Sequence, residues 1–216
     1  MSAWPAGLRG VTETVVTTLG PNGLWNVAAL GVHAPERSES ANRASGDEGT
    51  ANHAPERGRA SPAPATARTF GRTRTRRNFE RRGEGYVQFV ADPLRFAEAA
   101  LTVTERESPI LAAAAAWTRV EVEPLDREER DGTAVVSWAL RPAESATVRT
   151  SVPSTNRGHA AVIEGTVAAS RLGVSGFDDA ALRARLDYFA SVCERCGGPR
   201  ERAAFALIDD AVDEQE

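Results

Sequence analysis

The fold is decided by the stretch Glu13-Thr-Val-Val-Thr-Thr18, which is followed by Gly20-Pro-Asn-Gly23 and by Leu24-Trp-Asn-Val-Ala-Ala-Leu-Gly-Val32. The first and last of these segments are rich in the β-branched residues that fit a pleated sheet. Gly, Pro and Asn lie between them, and these residues suit tight turns because they tolerate positive φ or fix φ. The stretch therefore predicts a β-hairpin.

Further strand-like segments follow after residue 70. Gly85-Tyr-Val-Gln-Phe-Val90 and Leu101-Thr-Val-Thr104 have strand composition, and alternating patterns occupy residues 116–123 and 133–140. A charged turn from Asp126 to Gly132 separates the last two. Five or more strands with short, mainly hairpin-like connections predict an antiparallel barrel.

Helical signals begin within this region and dominate after about Val152. Asp92 as N-cap and Pro93 at the first position start a short helix that ends at Ala100. Three more helices are predicted: one from Asn156 to Leu172 with Gly173 as its stop, one from Ser175 and Asp178 to Gly197, and one beginning at Pro199. We therefore predict two units, a barrel domain over residues 1–152 and a helical subdomain over residues 153–216.

Composition limits the class of protein. Of 216 residues, 41% are hydrophobic and 26% charged, which is typical of a globular chain and excludes collagen and extended coiled coils. The longest apolar run, Leu111 to Trp117, is far shorter than the roughly 20 residues that cross a membrane. With only Cys193 and Cys196 for disulfides and no basic-then-apolar leader, we expect a cytoplasmic protein without a membrane partner.

The segment from 33 to 69 has no hydrophobic pattern. It is rich in Ser, Ala, Pro, Glu, Arg and Gly and contains no aromatic residue, so it offers little apolar surface to offset the entropy of ordering. His33-Ala-Pro-Glu-Arg37 recurs in it as His53-Ala-Pro-Glu-Arg57. Two copies are too few for a repeat fold. We interpret 33–69 as a mobile insertion loop with a local duplication.

The stretch Gly71-Arg-Thr-Arg-Thr-Arg-Arg-Asn-Phe79 carries the most chemistry. All 26 basic residues of the chain are arginine, and arginine outnumbers acidic residues between 33 and 82 although the net charge is −4. Guanidinium, hydroxyl and amide groups suit a phosphate group. On an extended segment, Thr73 and Thr75 would face one way and Arg72, Arg74 and Arg76 the other. The alternative is a solvated basic loop or a nucleic-acid patch.

The sequence resembles a family at this point. The carriers are Glu13 to Thr18, Asn26 to Val32, Thr73-x-Thr75-x-x-Asn78 with the later Asp92-Pro-x-x-Phe96, and the helix with Asn156-Arg-Gly, Val162-Ile-Glu164 and Ser170-Arg-Leu172. They are similar to domain of unknown function 447, a mostly archaeal family with an FMN-binding split barrel like that of flavin reductases. The resemblance runs in order over nearly the whole chain, outside residues 34–69.

The resemblance implies a mainly β fold with a C-terminal helical part, a homodimer, and FMN bound non-covalently near the dimer interface. By similarity, Thr73, Thr75 and Asn78, with Arg72 or Arg74, would hold the flavin phosphate. Backbone groups from Asn26 to Ala29 would line the ring, where the small side chains of Ala28 and Ala29 allow a close approach. Two positions depart from the family pattern: Arg76 stands where an aromatic residue is usual, and Phe79 replaces a leucine.

Three other features carry weaker signals. Cys193-Glu-Arg-Cys196 has a metal-type gap but no second pair and no nearby histidine, so two half-buried helix cysteines are favoured over a zinc site. Glu164 is either a functional carboxylate or a structural ion-pair partner of Arg157 or Arg171, and the ion pair is favoured. For His159, a partly exposed, hydrogen-bonded histidine is favoured over a general acid.

Three functions remain open from the sequence. The first is an FMN-dependent oxidoreductase, in which the flavin carries hydride or electrons from a nicotinamide or another donor and the protein supplies position and electrostatics. The second is a flavin-binding module without turnover. The third is nucleic-acid binding by the cluster from Arg72 to Arg82, the reading that we favour least.

Overall fold

The structure, a computed structural model, describes residues 4–35, 64–130, 132–152 and 154–214. The strands within these ranges are β1 (Val11–Leu19), β2 (Trp25–His33), β3 (Ala65–Phe70), β4 (Glu84–Val90), β5 (Thr104–Arg106), β6 (Ala114–Arg130) and β7 (Thr133–Thr147). The helices are α1 (Arg74–Arg82), α2 (Pro93–Leu101), α3 (Arg157–Ala169), α4 (Asp179–Cys196) and α5 (Pro199–Asp213).

Six strands form an antiparallel barrel in the order β1-β4-β6-β7-β3-β2, which closes because β2 also pairs with β1. The hairpin predicted from the opening stretch is confirmed, with Val11 opposite His33 and Leu19 opposite Trp25. The second edge of β2 is divided: its end pairs with β3 and its start pairs with the short β5. A barrel followed by C-terminal helices is the predicted fold class.

The barrel interior is apolar, and two pairs of aromatic side chains pack at it. Alternate residues of the strands point inward and form one buried cluster. From α1, Phe79 packs against Trp138 with ring centroids 5.4 Å apart. Phe79 also requires a glycine beside it, because a Cβ on Gly85 would lie 3.0 Å from its ring. Near the other end of β4, Trp4 packs against Phe89 at 6.4 Å.

Helix α2 joins the barrel to the C-terminal helices. As predicted, Asp92 caps it and Pro93 opens it. One face packs Phe96 and Ala99 against the outer surface of β1 and β2, and Ala97 belongs to the cluster built by α3, α4 and α5. The division into domains at residue 152 stays a prediction. None of the helices in the described ranges is both long enough and apolar enough to cross a membrane.

Strands occupy both ends of the segment 33–69 that was predicted to be an insertion loop. His33 belongs to β2, and residues 65–69 belong to β3, where pairing with β7 supplies the partner that the polar sequence did not reveal. The expectation of a loop over those positions is therefore wrong. Residues 36–63, which include the second copy of the repeated motif, lie outside the described residues.

Two other expectations for the barrel region are corrected. The segment Leu101 to Thr104 is not a strand, because α2 continues through Leu101 and β5 begins only at Thr104, where it pairs with Val27. The charged segment from Asp126 to Gly132 was expected to be a turn, but most of it is strand, because β6 continues to Arg130. Cross-strand hydrogen bonding to β7 over this length overrides the polar composition.

The predicted C-terminal helices are present with small shifts. Asn156 caps α3, which ends at Ala169 instead of Leu172, and Gly173, four residues after that end, adopts a positive φ. Asp178 caps α4, and Ser175 takes no part in that cap. α5 begins at Pro199 as predicted.

One buried polar side chain fixes the loop before β6. The Gln88 side chain is fully buried on β4. Its Nε2 donates to the carbonyl of Pro109 at 2.9 Å, and its Oε1 accepts from the backbone N–H of Leu111 at 2.7 Å. Thr17 Oγ1 donates to the same Pro109 carbonyl at 2.7 Å. Since unpaired buried polar groups are costly, Gln88 determines where residues 109–111 lie.

Replacing Gln88 by leucine strands the Leu111 N–H, so the free energy of unfolding falls by about 1–3 kcal/mol. Thr118 provides a matched control, because its buried hydroxyl has no hydrogen-bond partner among the described residues. Thr118→Val leaves the free energy of unfolding unchanged or raises it. Urea unfolding followed by circular dichroism measures both, and equal losses in the two variants would contradict the role of Gln88.

Candidate functional site: the start of helix α1

The arginine and threonine segment is helical from residue 74, and this corrects the expectation of an extended strand. Thr73 is the N-cap of α1, and its hydroxyl accepts a hydrogen bond from the Arg76 N–H at 3.2 Å. The side chains therefore follow the helical period instead of alternating. Thr75, Asn78 and Phe79 face the barrel, as their spacing of three and four residues requires. This helical spacing is present in the sequence, in the same stretch in which Arg and Thr alternate.

Two buried amides attach α1 to the barrel. Asn26 Nδ2, near the start of β2, donates to Thr75 Oγ1 at 3.4 Å. Asn78 Nδ2 donates to the Thr18 carbonyl at 3.3 Å and to its hydroxyl at 3.0 Å. All four side chains are at least nine-tenths buried. Of the predicted site residues, Asn26 and Thr75 are in contact, and Asn78 instead contacts β1.

A carboxylate of β5 neutralises one arginine at the helix start. Arg74 Nη1 donates to Glu105 Oε1 at 3.0 Å, and Asn22 Nδ2 donates to Glu105 Oε2 at 3.1 Å. Both partners of the ion pair are partly exposed. Glu105 and Asn22 were not among the site residues predicted from the sequence, because the pairing of β5 with β2, which brings Glu105 to the turn that contains Asn22, has no local sequence signal.

Arginines further along α1 are held by the protein itself. Arg76 donates to Glu80 Oε1 at 3.2 Å and to the Gly71 carbonyl at 3.1 Å, so it braces the turn before the helix. Arg81 donates to Asn78 Oδ1 at 3.0 Å and to the Leu19 carbonyl. These contacts occupy both guanidinium groups within the fold.

The other predicted residues are placed apart from this cluster. Arg72 is exposed and forms no hydrogen bond or ion pair with the other described residues. Ala28 packs against the barrel interior and Ala29 against the outer cluster that α2 covers. The two alanine side chains thus face opposite sides of β2, so they do not line one surface together.

The start of α1 has the properties of an anion site. The first intrahelical bond runs from the Arg77 N–H to the Thr73 carbonyl, which leaves the N–H groups of Arg74 and Thr75 without a partner among the described residues. Such groups and the helix dipole attract anions. Arg72 and Thr73, both exposed, directly precede Arg74 in the sequence and add a guanidinium and a hydroxyl group to this end of the helix. A phosphate monoester is the ligand that matches these donors.

Glu164, a second candidate from the sequence, forms no ion pair with Arg157 or Arg171, so that expectation is wrong. The Arg171 guanidinium lies over the ring of Phe177 at 5.2 Å from its centroid. Glu164 is exposed on α3. Burial, and secondarily the charge of Glu164, raises the pKa of Glu13 on β1.

The cysteines and the histidine show no catalytic arrangement. Cys193 is buried and Cys196 partly buried at the end of α4. Burial, and secondarily the charge of Glu201, raises the pKa of Cys193, which disfavours the reactive thiolate. His159 is partly exposed in the first turn of α3, as predicted, but its ring forms no hydrogen bond with the other described residues. No group of three or more His, Cys, Asp or Glu residues in the described ranges could hold a metal.

Comparison with protein families identifies the chain. The model "Protein of unknown function (DUF447) N-terminal domain" matches residues 45–149, and the model "Protein of unknown function (DUF447)" for the C-terminal domain matches residues 156–210. The protein belongs to the DUF447 family. No curated protein matches the chain.

Solved structures extend this DUF447 assignment to the fold. The FMN-bound DUF447 protein MM1853 from Methanosarcina mazei has 22% sequence identity and a TM-score of 0.69, with 95% of this chain and 97% of that chain covered. The styrene monooxygenase flavin reductase of Pseudomonas putida S12 has 12% identity, a TM-score of 0.35, and coverage of 66% and 85%. A flavin reductase domain protein from Arthrobacter sp. FB24 has 11% identity, a TM-score of 0.37, and coverage of 68% and 82%. MM1853 therefore shares the fold of this chain, a six-stranded antiparallel barrel followed by C-terminal helices.

Replacing Asn78 by leucine keeps the side-chain volume and removes the amide that joins α1 to β1. We expect a loss of about 1–3 kcal/mol in the free energy of unfolding, because the buried polar groups of Thr18 lose their partner and the exposed Arg81 loses one of its acceptors. Arg77 is the control, since it is exposed and unpaired among the described residues. Arg77→Met changes stability by less than about 0.5 kcal/mol. Thermal and urea unfolding report both variants, and an unaltered Asn78→Leu protein would refute the attachment.

Proposed function

We propose that this DUF447 protein binds FMN non-covalently, with the flavin phosphate at the start of α1. The observation that carries the proposal is the pair of open N–H groups of Arg74 and Thr75 at a helix start that is fixed to the barrel by buried hydrogen bonds. A DUF447 relative whose structure matches this one over nearly the full length of both chains is FMN-bound, and this supports the choice of ligand.

The proposed phosphate contacts follow from the exposed groups at the helix start. The N–H groups of Arg74 and Thr75 and the Thr73 hydroxyl donate to phosphate oxygens, and Arg72 supplies an exposed guanidinium that has no partner among the described residues. Asn26 and Thr75 form the buried wall behind them. Asn78 is assigned a positioning role, because its amide is occupied by Thr18 and Arg81.

Glu105 competes with the ligand in this proposal. Its carboxylate pairs with Arg74, so an incoming phosphate either displaces Glu105 from the guanidinium or shares that guanidinium with it. Like charges in one site oppose binding. The ion pair is partly exposed and therefore weak, which allows a doubly charged phosphate to take its place.

FMN supplies hydride or electron transfer when it is bound, and we propose an oxidoreductase in which the protein binds and orients the flavin for a nicotinamide or other electron donor. Backbone groups from Asn26 to Ala29 line the ring in this arrangement. A module that carries flavin without turnover is the alternative. Anaerobic mixing with NADH or NADPH separates them, because bleaching of the flavin absorbance supports the oxidoreductase and an unchanged spectrum with both supports the carrier.

Nucleic-acid binding receives less support from the arrangement of the arginines. Between Arg72 and Arg82, three of the six arginines are engaged by Glu105, Glu80 or Leu19 and Asn78 within the fold. The remaining three are Arg72, Arg77 and Arg82, and they are exposed.

We also propose a homodimer, and an aromatic row on the outside of the barrel supports it. The rings of Trp25, Tyr86 and Trp117 lie side by side on this surface. The centroid of Tyr86 is 5.3 Å from that of Trp25 and 5.7 Å from that of Trp117. Each ring is partly exposed. A second copy would cover this aromatic surface, because aromatic residues are enriched in protein–protein interfaces.

The FMN proposal is tested by titration followed through flavin fluorescence. Arg74→Met removes a charge-assisted donor and weakens binding by roughly 10–100-fold, from about 1.5–3 kcal/mol per such bond. Glu105→Gln tightens binding, because the competing charge is removed. Thr73→Ser retains the helix cap and the hydroxyl, so its affinity is unchanged.

Arg77→Met is the charge-matched control, because it removes one arginine from the same helix away from the site. Its dissociation constant stays within about twofold of the unmodified protein. Equal weakening by Arg74→Met and Arg77→Met would indicate a general charge effect and refute the phosphate site. A protein that takes up no FMN at all would refute the function.

A further inference from the structure

A separate cavity of about 110 Å³ lies on the outer face of β2, between β5, α2 and residues 111–113. Its apolar part is formed by Val27, Ala99 and Leu111, and its polar part by Arg95, Glu98, Thr104 and Arg106. The volume is well below the roughly 300–1,000 Å³ of sites that enclose a drug-sized ligand. The cavity therefore admits a molecule of only a few heavy atoms and excludes a flavin or a nucleotide.

The wall of the cavity is held in place by buried and charged contacts. Gln88 fixes the Leu111 N–H, as described above. Arg149 donates to the Ala112 carbonyl in the same segment. Thr104, on the other wall, is fixed by the pairing of β5 with Val27. The cavity is thus preformed by the same contacts that stabilise the barrel.

The charges at the cavity leave one arginine uncompensated. Arg95 Nη1 donates to Glu98 Oε2 at 2.7 Å, so these two side chains neutralise each other. Arg106 has no ion pair or hydrogen bond with another described residue. Together the lining groups carry one net positive charge next to an apolar floor. That combination selects a monoanion with a short apolar body.

We propose that this cavity binds a small aliphatic monocarboxylate. The Arg106 guanidinium pairs with the carboxylate, for which its two parallel N–H groups are suited. In this structure the Thr104 hydroxyl donates to the Thr102 hydroxyl at 3.2 Å, and on binding it exchanges that partner for the carboxylate. The carbon chain lies against Val27, Ala99 and Leu111, where burial of apolar surface adds affinity.

This site is independent of the proposed flavin site, because the two lie on opposite faces of the β2–β5 pair. Asn26 and Glu105 are cross-strand partners and face α1. Val27 and Thr104 are the next pair and face the cavity. Successive residues of a strand point to opposite faces. A failure of one proposal therefore leaves the other intact.

The test uses sodium isobutyrate as the probe, added to ¹⁵N-labelled protein at neutral pH and constant ionic strength. We expect saturable shifts of the Val27, Thr104 and Arg106 amide resonances. Isobutyramide, which has the same shape without the charge, produces at least tenfold weaker binding. Arg106→Met also weakens isobutyrate binding at least tenfold, and Arg185→Met, which removes an exposed arginine of α4, leaves it unchanged.

A second variant tests the cavity without altering charge. Thr104→Val keeps the β5 pairing and the side-chain shape, and it weakens isobutyrate binding by about threefold or more through loss of one donor. Shifts that increase linearly without saturation, a saturable site elsewhere, or unchanged affinity in Arg106→Met would each overturn the proposal. Equal binding of isobutyramide would overturn the assignment to a carboxylate.

Discussion

The attachment of α1 to the barrel is the constraint on which the rest of the structure depends. Phe79 enters the apolar interior, and the amides of Asn26 and Asn78 join the helix to β2 and β1. Because these groups are buried, the helix cannot shift without stranding polar atoms. The direction of its first turn, and with it the open N–H groups, is therefore set by the core of the barrel and not by the exposed arginines.

β2 connects the two proposed sites through its alternation. It pairs with β1 along its whole length, and its other edge is shared between β3 and β5. The short β5 brings Glu105 to the start of α1 and Thr104 and Arg106 to the cavity. A three-residue strand thus contributes charged groups to both faces of the sheet, and the barrel provides the rigidity that positions them.

Much of the fold was predictable from local patterns. The opening hairpin, the caps Asp92 and Asn156, and the start of α5 at Pro199 follow from turn and capping chemistry that acts over a few residues. β3 and the last residues of β6 were not predictable in this way, because these polar segments become strands by pairing with β7. Long-range pairing leaves little trace in a local composition.

The candidate site was predicted in part. Thr73, Arg74 and Thr75 lie together at the helix start, whereas the alternation of Arg and Thr wrongly indicated a strand. The partner Glu105 depends on a contact across 31 positions and could not be found from spacing. The direct test of the central claim compares FMN with riboflavin, which lacks the phosphate. We predict that FMN binds at least 100-fold more tightly than riboflavin and that this difference in affinity narrows as salt increases; equal affinity for the two flavins would contradict a phosphate site at the start of α1.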